Sequence, residues 1–213
     1  MSLEMLDNLL QLTAVAAGLG IALKGYFKSR HPSQAMLAAC YACWILALVF
    51  WLMYLGLLGE TPAELSASTV SWWGSFLFLI AVNRMQRQPG EQGWKHPFAW
   101  LAALACAGFM ALWYAEGLNS PVINAVWFLI FAGLAFFSAR SLAFSIRKPK
   151  NPARARYHAL VLAVLLFENL LLLASLYLWP EDYLHFNAYY LFDLLLSLGL
   201  LLLAPALNRA VAA

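Results

Sequence analysis

Charge is what this sequence has least of. Of its 213 residues, 11% are Asp, Glu, Lys or Arg, where a water-soluble domain carries about 25%. Hydrophobic residues make up 64%, and mean hydropathy is +0.74. This excludes an ordinary water-facing globule, because too few polar groups exist to cover the apolar mass. Lipid is the expected solvent. Cysteine is scarce as well, and three residues cannot build a disulfide framework. Cys40 and Cys43 form a C-x-x-C inside an apolar stretch, and Cys106 lies in another. With Ala, Tyr, Trp and Leu around them, they read as small packing residues rather than redox or metal centres. Cations are missing from the first residues, which carry Glu4 and Asp7. A cleavable signal peptide needs positive charge there, so the first helix is expected to be retained. His31, His96, His158 and His185 fall at loop edges, with no pair at metal-ligand spacing. No metal, cofactor or nucleic-acid partner is expected.

What is present is a series of long apolar runs. Seven segments, near 5–27, 34–58, 66–86, 97–116, 120–144, 154–178 and 184–207, are long enough to span ~30 Å of hydrocarbon. Polar connections rich in Pro and Gly separate them, such as Gly59-Glu60-Thr61-Pro62 and Lys148-Pro149-Lys150-Asn151-Pro152. The expected fold is all-α: one polytopic domain over 1–213 with seven transmembrane helices in a cell membrane.

Charge placement predicts the orientation. All 13 Lys and Arg, from Lys24, Lys28 and Arg30 through Arg147–Arg156 to Arg209, fall on one side of this layout. Glu4, Asp7, Glu60, Glu64, Glu116, Glu181 and Asp182 fall on the other. Positive charge stays cytoplasmic, so the N-terminus is expected outside and the C-terminus inside. Trp94, Trp100, Trp113, Tyr114, Trp179 and Tyr183 near segment ends read as interface anchors. Ala14-x-x-x-Gly18 and Ala16-x-x-x-Gly20 predict close packing of segment 1, within the bundle or against a second copy in a homo-oligomer.

An internal repeat is one reading of the chain. Lys28-x-x-x-Pro32 matches Lys148-x-x-x-Pro152. Leu48-Val49-Phe50 matches Leu165-Leu166-Phe167, and Trp72-Trp73 matches Tyr189-Tyr190 at the same offset. Segments 1–3 would then recur as 5–7 around a linking fourth, a 3+1+3 parallel repeat. Chance similarity between apolar, aromatic-rich stretches is the other reading.

Two acids lie within apolar segments, Glu168 and Asp193. A carboxylate in hydrocarbon costs ~2.5–3.5 kcal/mol on insertion scales, so an intramembrane acid is a functional candidate. The hairpin between segments 6 and 7 puts each about ten residues below the outer surface. Such a pair could bind a cation or proton; alternatively, protonated carboxyls hydrogen-bond helices together, with Tyr189 or Ser197 as partners. Asn169, Asn187, Tyr189, Tyr190 and Ser175 surround them from the second half. Tyr54, Ser71, Trp72, Trp73 and Ser75 come from the first half, and Asn124 and Trp127 from segment 5. If the helices close into a ring, this set could line a pocket whose aromatic faces attract cations. Arg84 and Arg140, at inner helix ends, could pair with an acid or carbonyl, but snorkelling to headgroups is the simpler expectation.

The run from Thr61-Pro62 through Ser71-Trp72, Ser75 and Phe76-Leu77-Phe78-Leu79 resembles uncharacterised seven-helix membrane proteins of bacteria, which implies a multi-pass inner-membrane protein and no particular activity. The 3+1+3 layout is similar to transporters of the SWEET and PnuC types, although their Pro-Gln and Trp-Asn-Trp-Pro signatures are absent. Rhodopsins share the helix count, but no Lys stands in 184–207 to carry retinal. Pro205-Ala206-Leu207 resembles a motif of intramembrane aspartyl proteases, whose Gly-x-Gly-Asp is missing. Three functions follow. The first is a small transporter of a solute or cation, proton-coupled through Glu168 and Asp193. The second is a receptor-like sensor acting through a separate cytoplasmic partner. The third, with no nucleophile or metal motif behind it, is an intramembrane enzyme using the two acids.

Overall fold

The computed structural model describes residues 2–63, 65–91, 93, 95–115, 120–148, 151–178 and 185–212. Glu64, Trp94, Glu116, Lys150, Trp179, Pro180, Glu181, Asp182, Tyr183 and the side chain of Tyr114 lie outside them. The described residues form seven α-helices: α1 (Leu3–Ser29), α2 (Pro32–Leu58), α3 (Ala67–Met85), α4 (Pro97–Ala115), α5 (Pro121–Arg147), α6 (Pro152–Tyr177) and α7 (Ala188–Ala212). Five of them, α1, α2, α5, α6 and α7, are long and apolar enough to cross a membrane. The remaining two are shorter, with 19 residues each. Ser68, Thr69, Ser71, Ser75 and Asn83 make α3 the more polar of them, and all five are buried.

Local chemistry sets the boundaries. Pro opens α2, α5 and α6 in the first turn, where its missing N–H costs nothing. Ser2, Ser120 and Asn151 cap α1, α5 and α6 through their side-chain oxygens. Gly59, at φ 69°, ends α2 in the left-handed region open to glycine. Helix α7 begins four residues later than expected and runs five further, straight through Pro205. A proline ring removes one backbone donor, but neighbouring helices make this tolerable inside a bundle.

The helices alternate in direction. They form a ring in the order α1, α2, α3, α5, α6, α7 and back to α1, while α4 lies outside against α5 and α6. One end, called here the N-terminal end, holds the start of α1 and the α2–α3 connection. The other, the basic end, holds the α1–α2 and α3–α4 connections. The close packing predicted for α1 is seen at Gly18, where an added Cβ would lie 2.7 Å from the Tyr41 ring; Gly20 faces open space. Tyr41 is fully buried and donates its hydroxyl to the Leu200 carbonyl at 2.6 Å. Val164 approaches Gly199 just as closely, at 2.8 Å from an ideal Cβ, and this draws α6 onto α7.

The basic end is tied by side-chain hydrogen bonds rather than by apolar contact alone. Asn83 donates to Ser138 Oγ at 3.1 Å and accepts from His158 Nδ1 at 2.9 Å. Gln86 donates to Ser33 Oγ at 2.9 Å, and Gln34 to Asn208 Oδ1 at 2.8 Å. Together they join α2, α3, α5, α6 and α7. His158, expected at a loop edge, is 1% exposed because Asn83 meets its ring inside the bundle.

Candidate functional site

The N-terminal end of the ring is hollow. A cavity of about 310 Å³ opens there, and each of the seven helices contributes a wall residue from the same end. Glu168 and Asp193 both reach it. Glu168 stands nine residues before the end of α6 and Asp193 five residues into α7, ~14 and ~8 Å from those helix ends. The two carboxyls are close enough to interact electrostatically.

Asp193 is held from another helix, not from its own. Gln11 on α1 donates Nε2 to Asp193 Oδ1, and its Oε1 accepts from Trp44 Nε1 at 3.3 Å. Because an indole N–H can only donate, this chain fixes which way the Gln11 amide points. The Asp7 carboxyl lies within hydrogen-bonding reach of Asp193, and Asp7 Oδ2 has no donor among the described residues. One turn earlier, Glu4 accepts from Trp51 Nε1 at 3.3 Å. Glu4, Asp7 and Gln11 thus form a polar stripe on one face of α1, running from the helix start towards the cavity. Glu168 differs: it is 7% exposed and faces the cavity with no side-chain donor among the described residues.

Much of the remaining wall is aromatic, with Ile123, Leu171, Leu172 and Leu196 filling in between the rings. Trp44, Trp51, Trp72, Trp113 and Trp127 line it together with Tyr189. Trp44 packs edge-on to Phe76 at 5.2 Å, and Phe76 to Trp127 at 6.0 Å, so the floor is an interlocked aromatic layer. Trp51 and Trp72 meet at 5.5 Å nearer the mouth. Trp113, read from sequence as an interface anchor, turns inward instead, is 8% exposed, and its Nε1 has no partner among the described residues. Its helix lies outside the ring, so only an inward ring can reach the cavity.

Of the residues singled out from sequence, Glu168, Asp193, Tyr189 and Trp72 line this cavity, as do Ser175 and Trp127. The others sit around it. Asn169 donates to the Leu165 carbonyl at 2.7 Å and to Cys106 Sγ at 3.6 Å, which turns it towards α4. Tyr190 is buried edge-on to Tyr189, and Asn187 accepts from the Tyr189 backbone N–H at 2.9 Å. Trp73 packs edge-on against Trp127, and Ser75 donates back to the Trp72 carbonyl. Tyr54 rests on Phe50, and Asn124 is buried near the start of α5. Sequence reasoning missed Asp7, Gln11, Trp44 and Trp51. The signal was available: Glu4, Asp7, Asn8 and Gln11 recur at helical spacing, and the last three are buried.

A second charged cluster lies at the basic end. Arg140 Nε donates to Glu91 Oε1 at 2.7 Å, with the two side chains 5% and 1% exposed. Ser141 Oγ donates to the same oxygen at 2.8 Å, and the Gln88 backbone N–H to Oε2 at 3.2 Å. Gly90, at φ 82°, makes the turn that folds Glu91 inward. Arg140 therefore does not snorkel: a buried carboxylate holds its guanidinium inside, over the Phe136 and Phe137 rings. No protein-family model, curated protein or solved structure matches the chain, so this geometry carries the functional reading by itself.

Proposed function

We propose that this chain is a seven-span membrane transporter for a small organic cation, with a proton as the exchanged ion. The carrying observation is a single cavity that joins the Glu168 and Asp193 carboxyls to five indole rings. An apolar ammonium is the ligand that both features favour. Indole faces attract a desolvated cation by ~2 kcal/mol or more, and a buried carboxylate supplies the counter-charge. A neutral solute would leave a buried Glu168 carboxylate without a counter-charge, and an anion would be repelled.

Proton exchange is supported by the Asp7–Asp193 contact. Two carboxyls within hydrogen-bonding reach need a proton between them, because two carboxylates offer no donor. A cation arriving beside Glu168 and Asp193 favours release of that proton.

In this reading α3 and α4 complete the seven spans, and the basic end faces the cytoplasm. The cavity then opens outward, while the Asn83–His158 and Gln34–Asn208 bonds keep the inner end shut. Ring order supports the 3+1+3 repeat. Exchanging α1, α2 and α3 for α5, α6 and α7 carries ring neighbours onto ring neighbours. Trp72 and its counterpart Tyr189 both line the cavity.

The test is binding of choline against its uncharged carbon isostere, 3,3-dimethylbutanol, read by quenching of tryptophan fluorescence. Choline is expected to bind at least ~30-fold more tightly, from the ~2 kcal/mol cation–aromatic contribution. Equal affinity for the two would remove the cation reading.

A further inference from the structure

The basic end carries a second cavity, of about 190 Å³, lined by Gly90, His96, Arg140, Phe144, Arg147 and Lys148. Its charge is one-sided. Glu91 is the carboxylate beside it, and that group is already satisfied by Arg140 Nε, Ser141 and the Gln88 backbone N–H. Arg147 and Lys148 have no acid opposite them among the described residues. The Lys148 ammonium lies 5.5 Å from the Phe144 ring centroid, at the cavity wall.

A separate observation points to a ligand. His96 lines this cavity, is 3% exposed, and neither ring nitrogen has a hydrogen-bond partner among the described residues. A buried imidazole with two idle nitrogens is costly unless something polar meets it. His96 also stands immediately before the first turn of α4, where backbone N–H groups are unpaired and the helix end favours negative charge. Two cationic side chains, an unpartnered imidazole and a helix start make a receptor for a phosphate group.

The surroundings select the source of that phosphate. Arg140 packs over Phe136 and Phe137, and both rings also line an apolar groove of about 310 Å³ between α4 and α5. Arg140, in the wall of the basic cavity, is thus the link between it and the groove, whose lining includes Trp100 and Leu104, 46% and 66% exposed. Phosphate recognition abutting an acyl-sized apolar channel matches an anionic phospholipid. We infer that the cavity beside His96 binds the phosphate of one anionic phospholipid, whose chain lies in the α4–α5 groove. This inference is independent of what the other cavity carries.

The experiment is native mass spectrometry of the protein released from nanodiscs of equal phosphatidylglycerol and phosphatidylcholine. One phosphatidylglycerol per chain is expected to be retained. Arg147→Gln with Lys148→Gln should lower that retention at least fivefold, and both side chains are exposed, so folding is unaffected. Millimolar inorganic phosphate or glycerol phosphate should fail to displace the lipid. Equal retention of the two lipids, or unchanged retention in the double variant, would overturn the site. Displacement by inorganic phosphate would overturn the lipid and leave a soluble-anion site in its place.

Discussion

Replacing Glu168 by Gln removes one charge from the cavity while keeping the side chain's size. For an ammonium seated in the cavity that Glu168 shares with Trp72 and Trp127, a separation of roughly 5 Å from the carboxylate sets the scale. At an effective dielectric constant of ~20, the attraction is ~3 kcal/mol, or about two orders of magnitude in Kd. Glu168 accepts no side-chain hydrogen bond among the described residues, so the amide leaves no donor stranded and the fold should hold. The assay is titration of choline against tryptophan fluorescence in nanodiscs, with 3,3-dimethylbutanol as the uncharged control. Choline affinity should fall ~100-fold and the control should change less than threefold. If both ligands weaken equally, the substitution has altered the cavity's shape, and the electrostatic argument fails.

Other consequences are equally concrete. Gln11→Leu takes the donor from Asp193 and the acceptor from Trp44 at once, and two stranded buried groups should cost ~2–5 kcal/mol in reversible unfolding. A variant as stable as the parent would show that water replaces the amide fully. Arg140→Met leaves Glu91 buried and unpaired and should cost ~3–5 kcal/mol, most of it regained when Glu91→Met is added; additive losses would mean the two do not act as a pair. In a cysteine-free background, Glu60→Cys should react with an impermeant maleimide on intact cells and Arg87→Cys only after permeabilisation. The reverse pattern would invert the orientation.

The helices were legible because hydrocarbon demands long apolar runs and Pro, Gly and charge mark their ends. Six of the seven helices have both ends within three residues of the expected positions. Helix α7 differs at both ends: it starts four residues later than the apolar run and continues past Leu207 to Ala212, with Pro205 accommodated inside the bundle. Glu168 and Asp193 stood out through the cost of burying an acid. Asp7 did not, because an acid seven residues from the start looks like a solvated helix end until ring closure covers it. Gln11 and Trp44 were invisible for a related reason: their roles are set by a contact between α1, α2 and α7 that no single segment announces. Arg140 was misjudged because its partner, Glu91, sits in a loop. Only the turn at Gly90 brings that carboxylate inside.

The account rests on a cation and a proton sharing one acid-lined cavity. Proteoliposomes loaded with the pH dye pyranine test this directly. An inward choline gradient should drive alkali-ward movement of the lumen as protons leave in exchange, and Glu168→Gln with Asp193→Asn should abolish it. A lumen that does not change pH with the parent protein, or an undiminished response in the double variant, would contradict the claim.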